Sequence, residues 1–145
     1  MTQNSVTRAV VIGVGHYLPA RIVPNAEFTE TLDTSDEWIV TRSGIERRHF
    51  AAEDESTSDL ATHAATAALA QAGIGADSLD AIIVATSTPD LTFPSVATMV
   101  QAQLGMTSGF AFDVQAVCAG FVYALANAHA LIMAGTARRV MVIGA

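Results

Sequence analysis

The sequence predicts an α/β fold, a mostly parallel sheet with helices on both faces. Three observations carry the prediction. Largely apolar runs recur at residues 8–14, 82–86, 111–114 and 140–145, the first of them rich in β-branched residues. Each is continuous rather than alternating, which is the pattern of a strand covered on both sides. Helix-like stretches separate the runs, and several close on a glycine, as helix C-termini do. The order is strand, helices, strand, helix, strand, helix, strand, which argues for crossover connections in a parallel sheet.

Arg8 to Val14 reads as a buried strand. Gly13-Val-Gly15 then suggests a tight turn, with Tyr17-Leu18-Pro19 as a buried corner. A dinucleotide fingerprint is disfavoured there, because position 18 is Leu rather than a third glycine and Pro19 stands where a helix should begin. Pro24-Asn25 opens a short helix over residues 26–32, with Asn25 as its N-cap. Ser35 caps a second helix start, and Asp36 and Glu37 fall in its first turn, where the helix dipole favours negative charge. Residues 51–57 form a polar, acidic loop. Ser58-Asp59 cap a helix over 60–72 that Gly73 ends, and His63 within it reads as structural or at the surface. Pro94 or Ser95 starts a helix through Leu104, terminated by Gly105. The last helix spans 119–134 before Gly135, and it is short and alanine-rich, more like a core helix than a membrane span. The chain stops at Val-Ile-Gly-Ala, where a parallel sheet would normally continue, which suggests truncation or cleavage.

The 145 residues point to a single domain, 1–145, that is 51% hydrophobic and only 14% charged, hence extensively buried. The net charge is −7 and every basic residue is arginine, which argues against a general nucleic-acid binder. A lone cysteine rules out an internal disulfide and fits a reducing, cytoplasmic setting. Met1 to Thr7 show no basic segment leading into an apolar one, so no signal peptide is expected. No metal-ligand cluster is expected either.

Two features carry chemistry. Cys118 falls where a strand hands over to the first turn of a helix. Free N–H groups and the dipole at a helix start favour a thiolate there, and could hold a developing oxyanion on a thioester carbonyl. Ala119 and Gly120 leave room for a carbonyl to approach. A nucleophile that carries an acyl group and an inert buried cysteine are equally compatible with this spacing. The second feature is Trp38, followed by Arg42, Arg47 and Arg48. A flat aromatic beside guanidinium groups suits an adenine ring and phosphates. The alternative is a structural tryptophan, with the arginines paired to Asp33, Asp36, Glu37 and Glu46.

Three stretches carry a family resemblance. They are Gly15-His-Tyr-Leu-Pro19, Thr34-Ser-Asp-Glu-Trp-Ile-Val-Thr-Arg-Ser-Gly-Ile45 and Phe112-Asp-Val-Gln-Ala-Val-Cys-Ala-Gly-Phe-Val-Tyr-Ala-Leu125. The chain resembles the first half of β-ketoacyl-acyl-carrier-protein synthase III, the condensing enzyme that starts bacterial fatty-acid synthesis. The resemblance implies a thiolase-like fold of two similar halves, with this chain as the N-terminal one, and a homodimer. It implies that Cys118 takes a short acyl group from acyl-CoA. Malonyl-acyl carrier protein then loses carbon dioxide, and its carbanion attacks the acyl-enzyme to give a 3-oxoacyl product. By the same resemblance, Trp38 stacks on the adenine of coenzyme A, Thr34 and Arg42 line that pocket with Arg42 on phosphate, and Phe93 reaches the acyl pocket of the partner subunit. Acyl-CoA is a substrate here, and no resident cofactor is implied.

The family's catalytic histidine and asparagine belong to the second half, and none of His16, His49, His63 and His129 falls at a matching position. The chain by itself is therefore expected to be inactive. Related enzymes that prime polyketide or other secondary-metabolite pathways, or that move acyl groups to oxygen or nitrogen, remain open. So does a non-catalytic thiolase-like dimerisation module.

Overall fold

The computed structural model describes residues 8–145; the N-terminal stretch read for a signal peptide lies outside them. The chain falls into two compact units, one of residues 8–17 with 57–145 and the other of Leu18–Ser56.

The larger unit holds a parallel sheet of three strands. These are β3 (Ala81–Ala85), β4 (Phe110–Val114) and β5 (Val140–Gly144), in spatial order β4-β3-β5. Helices α3 (Thr57–Ala72) and α4 (Val96–Gln103) cover one face and α5 (Gly120–Met133) the other. The central strand shows why its sequence is continuously apolar. Ile82 and Val84 pack with Ala61, Ala65, Val96 and Val100 of α3 and α4, while Ile83 and Ala85 pack with Ala124 and Ala128 of α5. Each side chain of β3 thus leaves water on one face or the other, worth about 1.5–3 kcal/mol for each large aliphatic one. The alanines of α3 and α5 let the helices lie close to the sheet.

The helix ends follow the sequence only in part. Ser95 caps α4, its Oγ accepting from Thr98 N at 3.3 Å. Gly73, Gly105 and Gly135 take the left-handed conformation behind α3, α4 and α5. α3 starts earlier than expected, at Thr57, so Ser58 and Asp59 are inside it. Its capping acceptor comes from elsewhere in the chain: the carboxylate of Asp90 accepts from Ser58 N at 3.0 Å.

The first expected strand is absent. Residues 8–14 pair with no strand, and Val10, Val11, Ile12 and Val14 are more than half exposed. The segment leans on α3 instead. A Cβ on Gly13 would come within 2.6 Å of Ala72 Cβ and 2.8 Å of the Ala68 carbonyl, so this approach requires glycine. Val14 N donates to Gln71 Oε1 at 3.0 Å. Across from the segment, β5 pairs with β3 alone among the described residues. Between the two runs an apolar cavity of about 950 Å³, reached also by Phe121, Leu125 and Leu69, separates two strand-like stretches. Hydrophobic pattern identified a strand-forming run, but a strand needs a hydrogen-bonding neighbour, and the described residues supply none at this edge.

The smaller unit is built on an antiparallel pair that the sequence reading did not anticipate, β1 (Arg21–Pro24) against β2 (Arg47–Phe50). Four-residue strands with charged side chains give little periodicity to read. The unit also holds α1 (Asn25–Thr29) and α2 (Asp36–Ser43). Pro24, not Asn25, is the N-cap of α1, and no side chain caps it. Asn25 is instead 1% exposed, with its amide turned toward α2. The expected corner at 17–19 buries Pro19 but leaves Leu18 57% exposed. Phe28 meets Phe50 edge-on, and Arg48 lies 4.4 Å over the Phe28 ring.

Candidate functional site

In the larger unit, β4 runs out at Val114, and after Gln115 and Ala116 a single 3-10 turn, Val117–Ala119, leads into α5. Cys118 is the middle residue of that turn and is exposed. It therefore sits one step ahead of the regular helix, with the N-terminus of α5 directly behind it. The cysteine is thus exposed rather than buried. Gly120 opens α5 against the sheet: a Cβ there would lie 3.3 Å from Ala85 Cβ. Val117, immediately before the cysteine, holds φ +46°, a left-handed conformation that a β-branched residue adopts only under strain.

Phe93 is 83% exposed in the connection leaving β3, just before the cis bond to Pro94. β3 and β4 are adjacent and parallel, so this connection and the Cys118 turn emerge at the same, C-terminal edge of the sheet. In open α/β sheets that edge is where ligands bind. Two links tie the connections together. Thr86 N donates to the Val114 carbonyl at 3.3 Å. The Asp113 carboxylate accepts from Val96 N and Ala97 N, each at 2.8 Å.

The smaller unit carries the other expected residues. Ser35 Oγ accepts from Trp38 N at 3.1 Å and fixes the start of α2. One turn later Arg42 places its guanidinium 4.6 Å from the centroid of the Trp38 ring. Ser35, Glu37, Trp38, Thr41 and Arg42 line a shallow cleft of about 310 Å³, and Trp38 is 55% exposed there. Thr34 is not part of that lining, but its Oγ1 is buried without a hydrogen-bond partner. The acidic partners proposed for the arginines do not hold them: among the described residues the ion pair present is Arg21–Glu27, at 2.9 Å on the surface. An open aromatic face, a guanidinium beside it and an unsatisfied hydroxyl next to the cleft suit a nucleotide.

Trp38 and Arg42 are thus brought into contact, and Phe93 and Cys118 share one edge of the sheet. The sequence reading missed Val117 and Asp113. A backbone dihedral leaves no trace in composition. A lone acid inside the apolar run Phe-Ala-Phe-Asp-Val was a visible signal.

Residues 112–145 match the family described as 3-oxoacyl-[acyl-carrier-protein (ACP)] synthase III. The chain is 77% identical over 138 residues to the β-ketoacyl-[acyl-carrier-protein] synthase III of Ruegeria pomeroyi, covering 95% of this chain and 43% of that protein. Among solved structures it is similar to the 3-oxoacyl-[acyl-carrier-protein] synthase III of Aquifex aeolicus VF5, at 48% identity and a TM-score of 0.88 over 92% of this chain and 43% of the other. It is equally similar in fold, at TM-score 0.88 and 34% identity, to the priming β-ketosynthase of the R1128 polyketide pathway, covering 97% of this chain and 43% of that one. The chain spans less than half the length of the curated relatives it matches. The resemblance read from the three motifs therefore holds across nearly the whole chain, and the thiolase-like α/β fold with it.

Proposed function

We propose that this chain, which is 77% identical to one synthase III over 95% of its length, is the nucleophile-bearing N-terminal part of a cytoplasmic condensing enzyme that begins fatty-acid synthesis. The observation that carries this reading is Cys118, exposed on a strained turn between β4 and α5. Its thiolate attacks the thioester carbonyl of an acyl-CoA. The C–S bond to coenzyme A breaks, coenzyme A leaves as a thiolate that takes up the proton Cys118 gave up, and the acyl group stays on Sγ. N–H groups at the start of α5 hold the developing oxyanion. Trp38 and Arg42 supply the stacking face and the phosphate contact for the coenzyme A nucleotide, with Thr34 beside them. Phe93 bounds the acyl chain at the partner subunit of a homodimer.

Condensation with malonyl-acyl carrier protein needs groups that polarise the malonyl thioester as carbon dioxide leaves. In this reading they come from the part of the relatives that this chain does not span. The apolar cavity beside the edge of β5 that is unpaired among the described residues supports a requirement for more polypeptide. The 145-residue chain alone is therefore inactive. A priming ketosynthase of polyketide synthesis is the second reading, favoured by the equal fold similarity to one.

The test is acetyl-CoA added to the chain alone and to the complete enzyme, followed by peptide mass mapping and a turnover assay. An acetyl group on Cys118 of the complete enzyme only is the expected result. A complete enzyme left unacylated at Cys118 overturns the reading, and condensation by the chain alone overturns the requirement for the remainder.

A further inference from the structure

We propose that Asn25 is a positioning residue for the nucleotide cleft, acting by fixing both ends of α2; this rests on the coenzyme A reading of Trp38 and Arg42. Helix α2 has eight residues and none of them is buried. Only Ile39 and Val40 of α2 are half-buried, so apolar packing alone holds the helix weakly, and hydrogen bonds at its ends add to it. Asn25 holds both. Its Nδ2 donates to Asp36 Oδ1 at 2.8 Å, at the first residue of α2, and to the Ile45 carbonyl at 2.8 Å, just past the Gly44 cap. Its backbone N–H reaches the Glu46 carbonyl at 3.3 Å. Trp38 and Arg42 lie between the two anchored ends.

Both amide partners are acceptors, so the orientation of the side chain is set by them. The other half of the amide, Oδ1, is buried and unpartnered. An unmade hydrogen bond at a buried acceptor costs stability. The residue is thus suited to its two donations rather than to stabilisation alone. A small rotation of a two-turn helix moves the Trp38 ring and the Arg42 guanidinium together. Acyl-CoA binding should respond while the chemistry at Cys118 does not.

The experiment uses the complete enzyme, with KM for acetyl-CoA and kcat measured separately. Asn25→Asp keeps the shape, removes both donors and sets a carboxylate against Asp36. KM is expected to rise about tenfold with kcat within about twofold of the parent. Asp36→Ala, which leaves the Ile45 bond intact, gives an intermediate rise. The double variant Asn25→Asp with Asp36→Asn restores one donor between the two positions and lowers KM again. A folded Asn25→Asp enzyme with unchanged KM overturns the proposal. So does a loss in kcat alone that the double variant does not repair, since that is the mark of a merely structural residue. If Asn25→Asp does not fold, Asp36→Ala decides by the same KM criterion. Trp38→Ala separates the two layers: if it leaves KM unchanged, the nucleotide reading itself fails. If it raises KM while Asn25→Asp does not, only the role of Asn25 falls.

Discussion

The carboxylate of Asp113 accepts the backbone N–H of Val96 at 2.8 Å, and its second oxygen takes Ala97 at the same distance. A side chain on the strand that leads to Cys118 thereby caps the helix that follows Phe93. A charged acceptor on two free first-turn amides is worth more than an ordinary cap. Asp113→Ala should lower unfolding free energy by about 2 kcal/mol and speed amide exchange at the start of α4. Unchanged exchange at Val96 and Ala97 would show the contact to be dispensable.

Val117 offers the opposite case. It is 75% exposed and held at φ +46°, so its Cβ branches cost energy and contribute little burial. Val117→Gly should raise stability by about 1 kcal/mol, the relief of strain exceeding the chain entropy that glycine adds. Urea midpoints at an unchanged m value measure this. A lower midpoint would mean that the strain is not there.

Trp38 is the single tryptophan of the chain, so its emission reports on the cleft. Coenzyme A should change that emission, and Trp38→Ala should weaken binding by about 1–3 kcal/mol, the range for a base stacked on an aromatic ring. Added salt should weaken binding as well, through the phosphate contact proposed for Arg42. Emission that ignores saturating coenzyme A would remove Trp38 from the site.

Asp80 sets an acid limit. The backbone N–H of Arg139, and then that of Arg138, hold its carboxyl below the ordinary value. The hydrogen bonds to Oδ2 measure 2.9 and 2.6 Å. A depressed folded value means the contribution is whole above about pH 4, the unfolded value, and fades as pH falls through the folded one. Asp80→Asn should lose stability at neutral pH and show a flatter decline in acid. Parallel acid-unfolding curves for the two proteins would refute this linkage.

A mostly parallel sheet with helices on both faces was legible in the residues alone, whereas the spatial order β4-β3-β5 was not. Continuous apolar runs and closing glycines are local signals, and they hold wherever burial on two faces is the outcome. The sequence also marked Cys118, Trp38 and Arg42, because reactive and stacking side chains can be recognised by type. Tertiary structure decided the rest. Residues 8–14 have the composition of a strand, yet they lie against α3 and pair with no strand, since pairing depends on which neighbour is present. Asn25 has the composition of a cap, yet it serves α2 from a buried position, since its partners at Asp36 and Ile45 are 11 and 20 residues away. The capping of α3 by Asp90 and of α4 by Asp113 crosses the chain in the same way. Propensity is a property of neighbours in sequence. Hydrogen-bond partners are neighbours in space, and only the folded chain brings them together.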